Sequence, residues 1–303
     1  MILGKVRSMK SRSSRHRRVL SMQAASVRRW LFRGALLGLG VLGSACLGPV
    51  PREAQSLGRP SLGSLINAIA LSADPPRDAG YVLARPTDDT RWGTPALVGM
   101  LQRAARAVRS AFPAGSPLRI GDLSARYGGD HARHGSHRTG RDVDVLFFLT
   151  GIDGTALSSS GFFAFDRRGV SRAGTAKDAP LASFDTPRNW AFVRALLVDS
   201  GAHVQWVFCS GGVKARLLAY AARTETNADV LFRASYLLHE PSYGNPHDDH
   251  FHIRIACTGE DRALGCIDDG PTWPWLRNEH EKPAVPAGAP DDDAALLAHL
   301  LAP

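Results

Sequence analysis

Eleven histidines are spread over 303 residues, yet six of them fall in two short windows, His131, His134 and His137 in one and His247, His250 and His252 in the other. The first window reads His134-Gly-Ser-His137-Arg-Thr-Gly140-Arg-Asp142-Val-Asp144, two imidazoles on a Gly-rich turn followed by two carboxylates. The second reads Asn245-Pro-His247-Asp-Asp-His250-Phe-His252-Ile-Arg254. Imidazole and carboxylate are the donors of a catalytic zinc site, which keeps one position open, whereas structural zinc usually closes its tetrahedron with cysteine. No cysteine lies in either window. The open position would hold a water whose pKa falls to about 7 beside the metal. No H-E-x-x-H helix is present, so no glutamate is placed as general base. A histidine, with an ordinary pKa near 6.5, is suited to that work.

These donors need elements that bring them together. Strand side chains alternate, so a strand over Asp142–Leu149 puts Asp142 and Asp144 on one face and Val143 and Val145 toward the core. A strand over His250–Ala256 does the same, with His250 and His252 opposite Phe251, Ile253 and Ile255. If the two strands are neighbours, Asp144 and His252 meet, and His137 folds over from its loop. His131 reads as a surface residue. Further strands are expected over Leu118–Ser124 and Val204–Cys209. Thr94-Pro95 reads as an N-cap and first helical residue, with Leu97, Val98, Leu101, Ala105, Val108 and Phe112 at helical spacing. Thr186-Pro187 repeats the device, and a third helix is expected over Val213–Arg223. The order has no regular βαβ repeat, which favours an α+β fold, a single domain with a central antiparallel sheet flanked by helices and the metal site on the sheet face.

The formal charge of +9 sits at the front of the chain: residues 1–45 hold ten Lys or Arg and no acidic residue. Without them 27 basic residues face 28 acidic ones, so the body carries no basic footprint for nucleic acid. A basic run ending at Arg33, an apolar run from Gly34 to Leu42 and small residues before Cys46 follow the order of a secretory signal. The apolar run is shorter than the about 20 residues a spanning helix needs, so no transmembrane span is expected in the mature chain. Ser26-Val27-Arg28-Arg29 is similar to a twin-arginine signal. Ser44-Ala45-Cys46 is similar to a lipoprotein processing site, which would anchor Cys46 in a membrane. We read residues 1–46 as export signal, 47–60 as linker, 61–275 as the domain that carries the zinc site and 276–303 as a Pro-, Asp- and Ala-rich tail. Cys257 and Cys266, nine apart in a polar loop, suit a disulfide in an oxidising compartment such as the periplasm. Cys209 lies in an apolar strand, where a buried inert thiol is expected.

The first window, with Gly121-Asp122-Leu123-Ser124 upstream and H-x6-D from His137 to Asp144, resembles the penicillin-insensitive murein endopeptidases. That family is akin to the lysostaphin-type and D-Ala-D-Ala metallopeptidases, which share H-x6-D followed by H-x-H. Residues 245–254 match the family's second motif, and the resemblance runs over roughly residues 60–270. It implies that His137, Asp144 and His252 hold one zinc ion, with His250 beside it as base or oxyanion donor and His247 as a second such residue. His134 would line the site, and Asp142 and Asp249 would orient imidazoles through their free N–H groups. It also implies peptidoglycan as the partner and hydrolysis of D-alanyl to meso-diaminopimelate cross-links. A D,D- or L,D-carboxypeptidase or a dipeptidase on the same scaffold, or a non-catalytic wall-binding module, are the alternatives.

Overall fold

Whether two distant windows can share one site depends on which strands are neighbours. The computed structural model describes residues 53–172 and 180–276. Six strands form one sheet: β1 (Tyr81–Leu83), β2 (Leu118–Ile120), β3 (Asp142–Leu146), β4 (Val204–Phe208), β5 (Leu238–His239) and β6 (His250–Ile255), in the spatial order β5-β4-β6-β3-β2-β1. At its centre β3 and β6 run antiparallel, with His252 opposite Asp144 and Arg254 opposite Asp142. Opposite residues of an antiparallel pair share a face, so the two windows present their polar groups side by side.

The fold is α+β, as expected, and its central strands are antiparallel. Each edge adds a parallel pair, because helices there return the chain to its starting end. Helix α1 (Pro95–Ala111) connects β1 to β2, while α3 (Gly211–Thr224) and α4 (Ala228–Leu237) connect β4 to β5. Thr94 caps α1 by accepting from the Leu97 N–H, and Leu97, Leu101, Ala105 and Val108 are buried. With Phe192, Val193 and Leu196 of α2 (Thr186–Leu197) they join Val143, Val145, Phe251 and Ile253 of the sheet in one core. Truncating a buried aromatic such as Phe192 to alanine would cost about 3–5 kcal/mol.

Several expected boundaries move. The strand expected over Asp142–Leu149 ends at Leu146, and Leu149–Gly151 opens a separate four-stranded sheet. The strand expected over Leu118–Ser124 stops at Ile120, but its continuation still bonds to β3: Gly121 N–H donates to the Asp144 carbonyl and Asp144 N–H to the Asp122 carbonyl. A Cβ at Gly121 would lie 3.2 Å from the Asp144 Cβ, so glycine lets this segment approach closely. Asp185, not Thr186, caps α2, because its carboxylate sits one residue earlier and accepts from the Arg188 N–H. Residues read as linker enter the fold, since Gln55–Arg59 pairs with Leu62–Ile66 as a hairpin. Helix α4 was not expected.

Buried Arg141, next to Asp142, ties this hairpin to the end of β6, donating to Ser56 Oγ, the Ile255 carbonyl and Asp268. Cys257 and Cys266 form the expected disulfide. Cys209 is buried and has no disulfide among the described residues, and burial pushes its thiol up to about 12. No helix among the described residues is long and apolar enough to cross a membrane. The expected signal, with Cys46, lies outside the described residues, as does the tail beyond residue 276.

Candidate active site

Asp144 projects from β3 into a fully buried position, and neither of its carboxylate oxygens has a hydrogen-bond partner among the described residues. Four imidazoles surround it. His137 Nε2 and His250 Nε2 lie 3.3 Å and 3.4 Å from Oδ1, His134 Nε2 lies 3.3 Å from Oδ2, and His252 Nδ1 lies 3.8 Å from Oδ1. Burial opposes Asp144's charge, but His137 and His250 outweigh it and hold the carboxyl well below its ordinary range.

Three of the rings, His137, His252 and His250, are turned by a partner on the other nitrogen. His137 Nδ1 faces the Leu123 carbonyl at 3.3 Å, which fixes its proton there and leaves Nε2 buried and unpartnered. His252 Nε2 faces Asp142 Oδ1 at 2.8 Å, leaving Nδ1 toward Asp144. The same Asp142 oxygen accepts from Arg254 Nε at 2.7 Å, so the carboxylate is itself held in place. Orientation of an imidazole by a carboxylate or carbonyl is the usual surrounding of a metal-binding histidine. His250 Nδ1 pairs with Asp249 in the same manner.

Lone pairs of His137 and His252 facing a carboxylate need positive charge between them, supplied by protons or a metal ion. Zinc bonds of about 2.0–2.1 Å in a tetrahedron put neighbouring donor atoms roughly 3.3 Å apart, close to the 3.3 Å between His137 Nε2 and Asp144 Oδ1. The orphaned Asp144 oxygens and His137 Nε2 therefore fit a metal ion. His134, His137 and Asp144 form one compact donor group, each offering one donor atom within 4.8 Å of the others. His252 stands across the site, its ring centroid 4.7 Å from that of His137.

Backbone strain marks the same place. His137 and His247 have φ of 64° and 54°, a left-handed conformation that side chains other than glycine adopt at a cost and that clusters at functional sites. The His247 ring lies 5.0 Å from His250 and 5.4 Å from His252. Burial, then the His252 and His250 charges, pulls His247 down to about 4. Burial opposes protonation of His250 as well, but Asp144 and Asp249 outweigh it and raise that ring to about 9. A cation on Asp144 would cancel its share and leave Asp249 as the proton-holding partner.

His131, read as a surface residue, is buried with its ring 4.7 Å from His134. The loop carrying it closes on the site because Arg133 clamps Asp122 through Nε and NH2, each at 2.8 Å. Asp122, which has no assigned role in the sequence reading, also accepts from Thr90 at 2.8 Å and Arg85 at 3.1 Å, and contacts His134 Nε2 at 3.0 Å. The signal for it was present in Gly121-Asp122, but its partners come from loops too far away in sequence to foresee. Asp122, His131 and His134 form a second compact donor group. Arg85 and Arg133 already compensate Asp122, so it does not need a further cation.

A family model described as penicillin-insensitive murein endopeptidase matches residues 56–273. Curated relatives with that description include one from Haemophilus influenzae, 26% identical over 234 residues that cover 74% of this chain and 71% of the relative. Another, from Escherichia coli O1:K1, is 30% identical over 221 residues, 73% of this chain and 72% of the relative.

Proposed function

The chain belongs to the penicillin-insensitive murein endopeptidase family, and from that premise we propose that it uses one zinc ion to hydrolyse D-alanyl to meso-diaminopimelate cross-links in peptidoglycan. That it is a murein endopeptidase, a hydrolase of peptidoglycan, follows from the family. The metal and the bond are our reading. The observation that carries the metal is Asp144: a buried carboxylate with no hydrogen-bond partner and four imidazole nitrogens 3.3–3.8 Å away.

His137 Nε2, Asp144 and His252 Nδ1 would hold the ion, with Asp142 fixing His252 and the Leu123 carbonyl fixing His137. When bound, the ion would supply polarisation of the scissile carbonyl and activation of water. His250, held by Asp249, carries a proton at the edge of the site and can pass it to the departing amine, which must leave neutral. His247, kept neutral by burial and its cationic neighbours, can accept one; two groups whose environments push their pKa values apart divide acid from base work. His134 lines the site, bridging Asp122 and Asp144. The substrate lies outside the cytoplasmic membrane, which accords with the Cys257–Cys266 disulfide and the signal-like front segment. We place the protein in the periplasm, with Cys46 as the candidate lipid anchor.

Digestion of purified cross-linked peptidoglycan, with and without chelator, tests the reading by fragment chromatography. Conversion of dimers to monomers that stops with chelator and returns with zinc is expected. Release of terminal D-alanine alone would show a carboxypeptidase, and zinc binding without any release a wall-binding module.

A further inference from the structure

The loop 245–249 has two sides. His247 turns its ring toward His250 and His252, whereas Pro246 and Asp248 face away into a groove of about 990 Å³. The start of α3 forms the groove's other wall and is tied to the same loop, since Ser210 N–H donates to the His247 carbonyl. The groove is therefore next to the histidine cluster and shares a structural element with it.

Its charges are not spent on each other. Arg167, Arg216 and Arg223 line it, and none has a carboxylate partner among the described residues. Arg216 donates to the Arg167 carbonyl at 3.4 Å, and Arg223 only to the carbonyl of Ala219 in its own helix. Asp166, also at the rim, is occupied in accepting from the Arg168 and Val170 N–H groups. With Glu240 and Asp248 the groove holds three carboxylates to three guanidinium groups, so it is balanced in formal charge, and the arginines are set apart by having no carboxylate partner among the described residues. The first helical residues of α3 are Gly211 and Gly212, and Ser210 Oγ accepts only from Val213. The two glycine N–H groups have no acceptor within the helix, and the helix dipole favours an anion there; Glu240 stands at that place, its Oε2 2.8 Å from where a Gly211 Cβ would lie. Glycine is a poor helix former, and at Gly211 it makes room for the Glu240 carboxylate, while Arg167 packs against Gly212.

We propose that this groove binds a peptidoglycan stem peptide flanking the scissile bond through its free carboxylates, with Arg167 and Arg216 as the recognising groups. The identification of the peptide rests on peptidoglycan being the substrate. Stem peptides are rich in free carboxylates, and guanidinium binds carboxylate in a planar, two-bond geometry. Glu240 and Asp248 can only accept at neutral pH, so they suit the peptide's N–H groups and weaken binding of ligands with excess negative charge.

The test is calorimetric titration of the full chain with the uncross-linked stem tetrapeptide and with the same peptide amidated at its carboxylates. Arg167→Gln with Arg216→Gln should weaken binding of the free peptide by roughly tenfold or more, and the amidated peptide should bind parent and variant equally weakly. Glu240→Gln should tighten binding of the free peptide, a gain that misfolding cannot produce. On cross-linked dimers the arginine variant should raise KM and leave kcat near the parent's. Equal affinity of parent and arginine variant for the free peptide, or no binding to either, overturns the proposal even if the enzyme cleaves peptidoglycan. Arginine-dependent binding without any cleavage by the parent would sink the peptidase reading and leave the groove standing.

Discussion

Asp122 and Asp144 are both buried aspartates, and His134 Nε2 reaches both, at 3.0 Å and 3.3 Å. Asp122 is met by Arg133, Arg85 and Thr90, so the protein supplies its counter-charge. Among the described residues Asp144 is met by imidazoles alone, and its oxygens have no hydrogen bond. Removing a carboxylate from water costs several kcal/mol unless the charge is compensated. At Asp122 guanidinium groups compensate it; at Asp144 only imidazoles stand near among the described residues, and the proposed ion would complete the compensation. We therefore assign the proposed ion by the missing partner more than by the cluster of donors, since both aspartates sit in such clusters.

Substitution should separate the two. Asp144→Asn is expected to reduce bound zinc from one ion per chain to none and turnover to background, measured by metal analysis and dimer cleavage. His250→Gln is expected to keep the ion and lose about 10²–10⁴ in kcat, the usual share of a proton-transferring side chain. A variant with full turnover would remove His250 from the mechanism. Asp142→Asn should weaken metal affinity by about 10–100-fold, because the His252 ring loses its orienting carboxylate. Competition with a chromogenic chelator measures this.

Asp122→Asn should behave differently, retaining one ion while lowering stability by about 1–3 kcal/mol, as bonds from charged groups are lost. If Asp122→Asn instead abolished metal binding, the contrast between the two aspartates would fail. The smallest effect lies far from the site. Asp199 is partly buried, which opposes its charge, but two bonds from Arg103 outweigh this and hold its pKa below the ordinary value. A depressed carboxyl contributes stability above its unfolded pKa near 4 that is lost as pH falls through the folded value. Arg103→Gln should therefore shift the acid limb of a pH–Tm curve to higher pH, by an amount fitting a surface pair of at most about 1 kcal/mol.

What the sequence could reveal follows the same division. Alternation along Asp142–Leu146 and His250–Ile255 gives the shared faces, because strand period is a local property. The pairing of His252 with Asp144 follows once those strands are adjacent. The burial of His131 and the role of Asp122 were not legible, since both depend on Arg133, Arg85 and Thr90 converging from separate loops. The parallel pairs at the sheet edges depend on where α1, α3 and α4 return the chain, which periodicity does not encode.

The central claim is tested most directly by locating the ion. Crystals of the full chain grown with zinc, with anomalous scattering recorded at the zinc edge, should show one peak about 2.0–2.2 Å from His137 Nε2, Asp144 and His252 Nδ1. A peak among Asp122, His131 and His134, or no peak beside Asp144 at full zinc occupancy in solution, would contradict it.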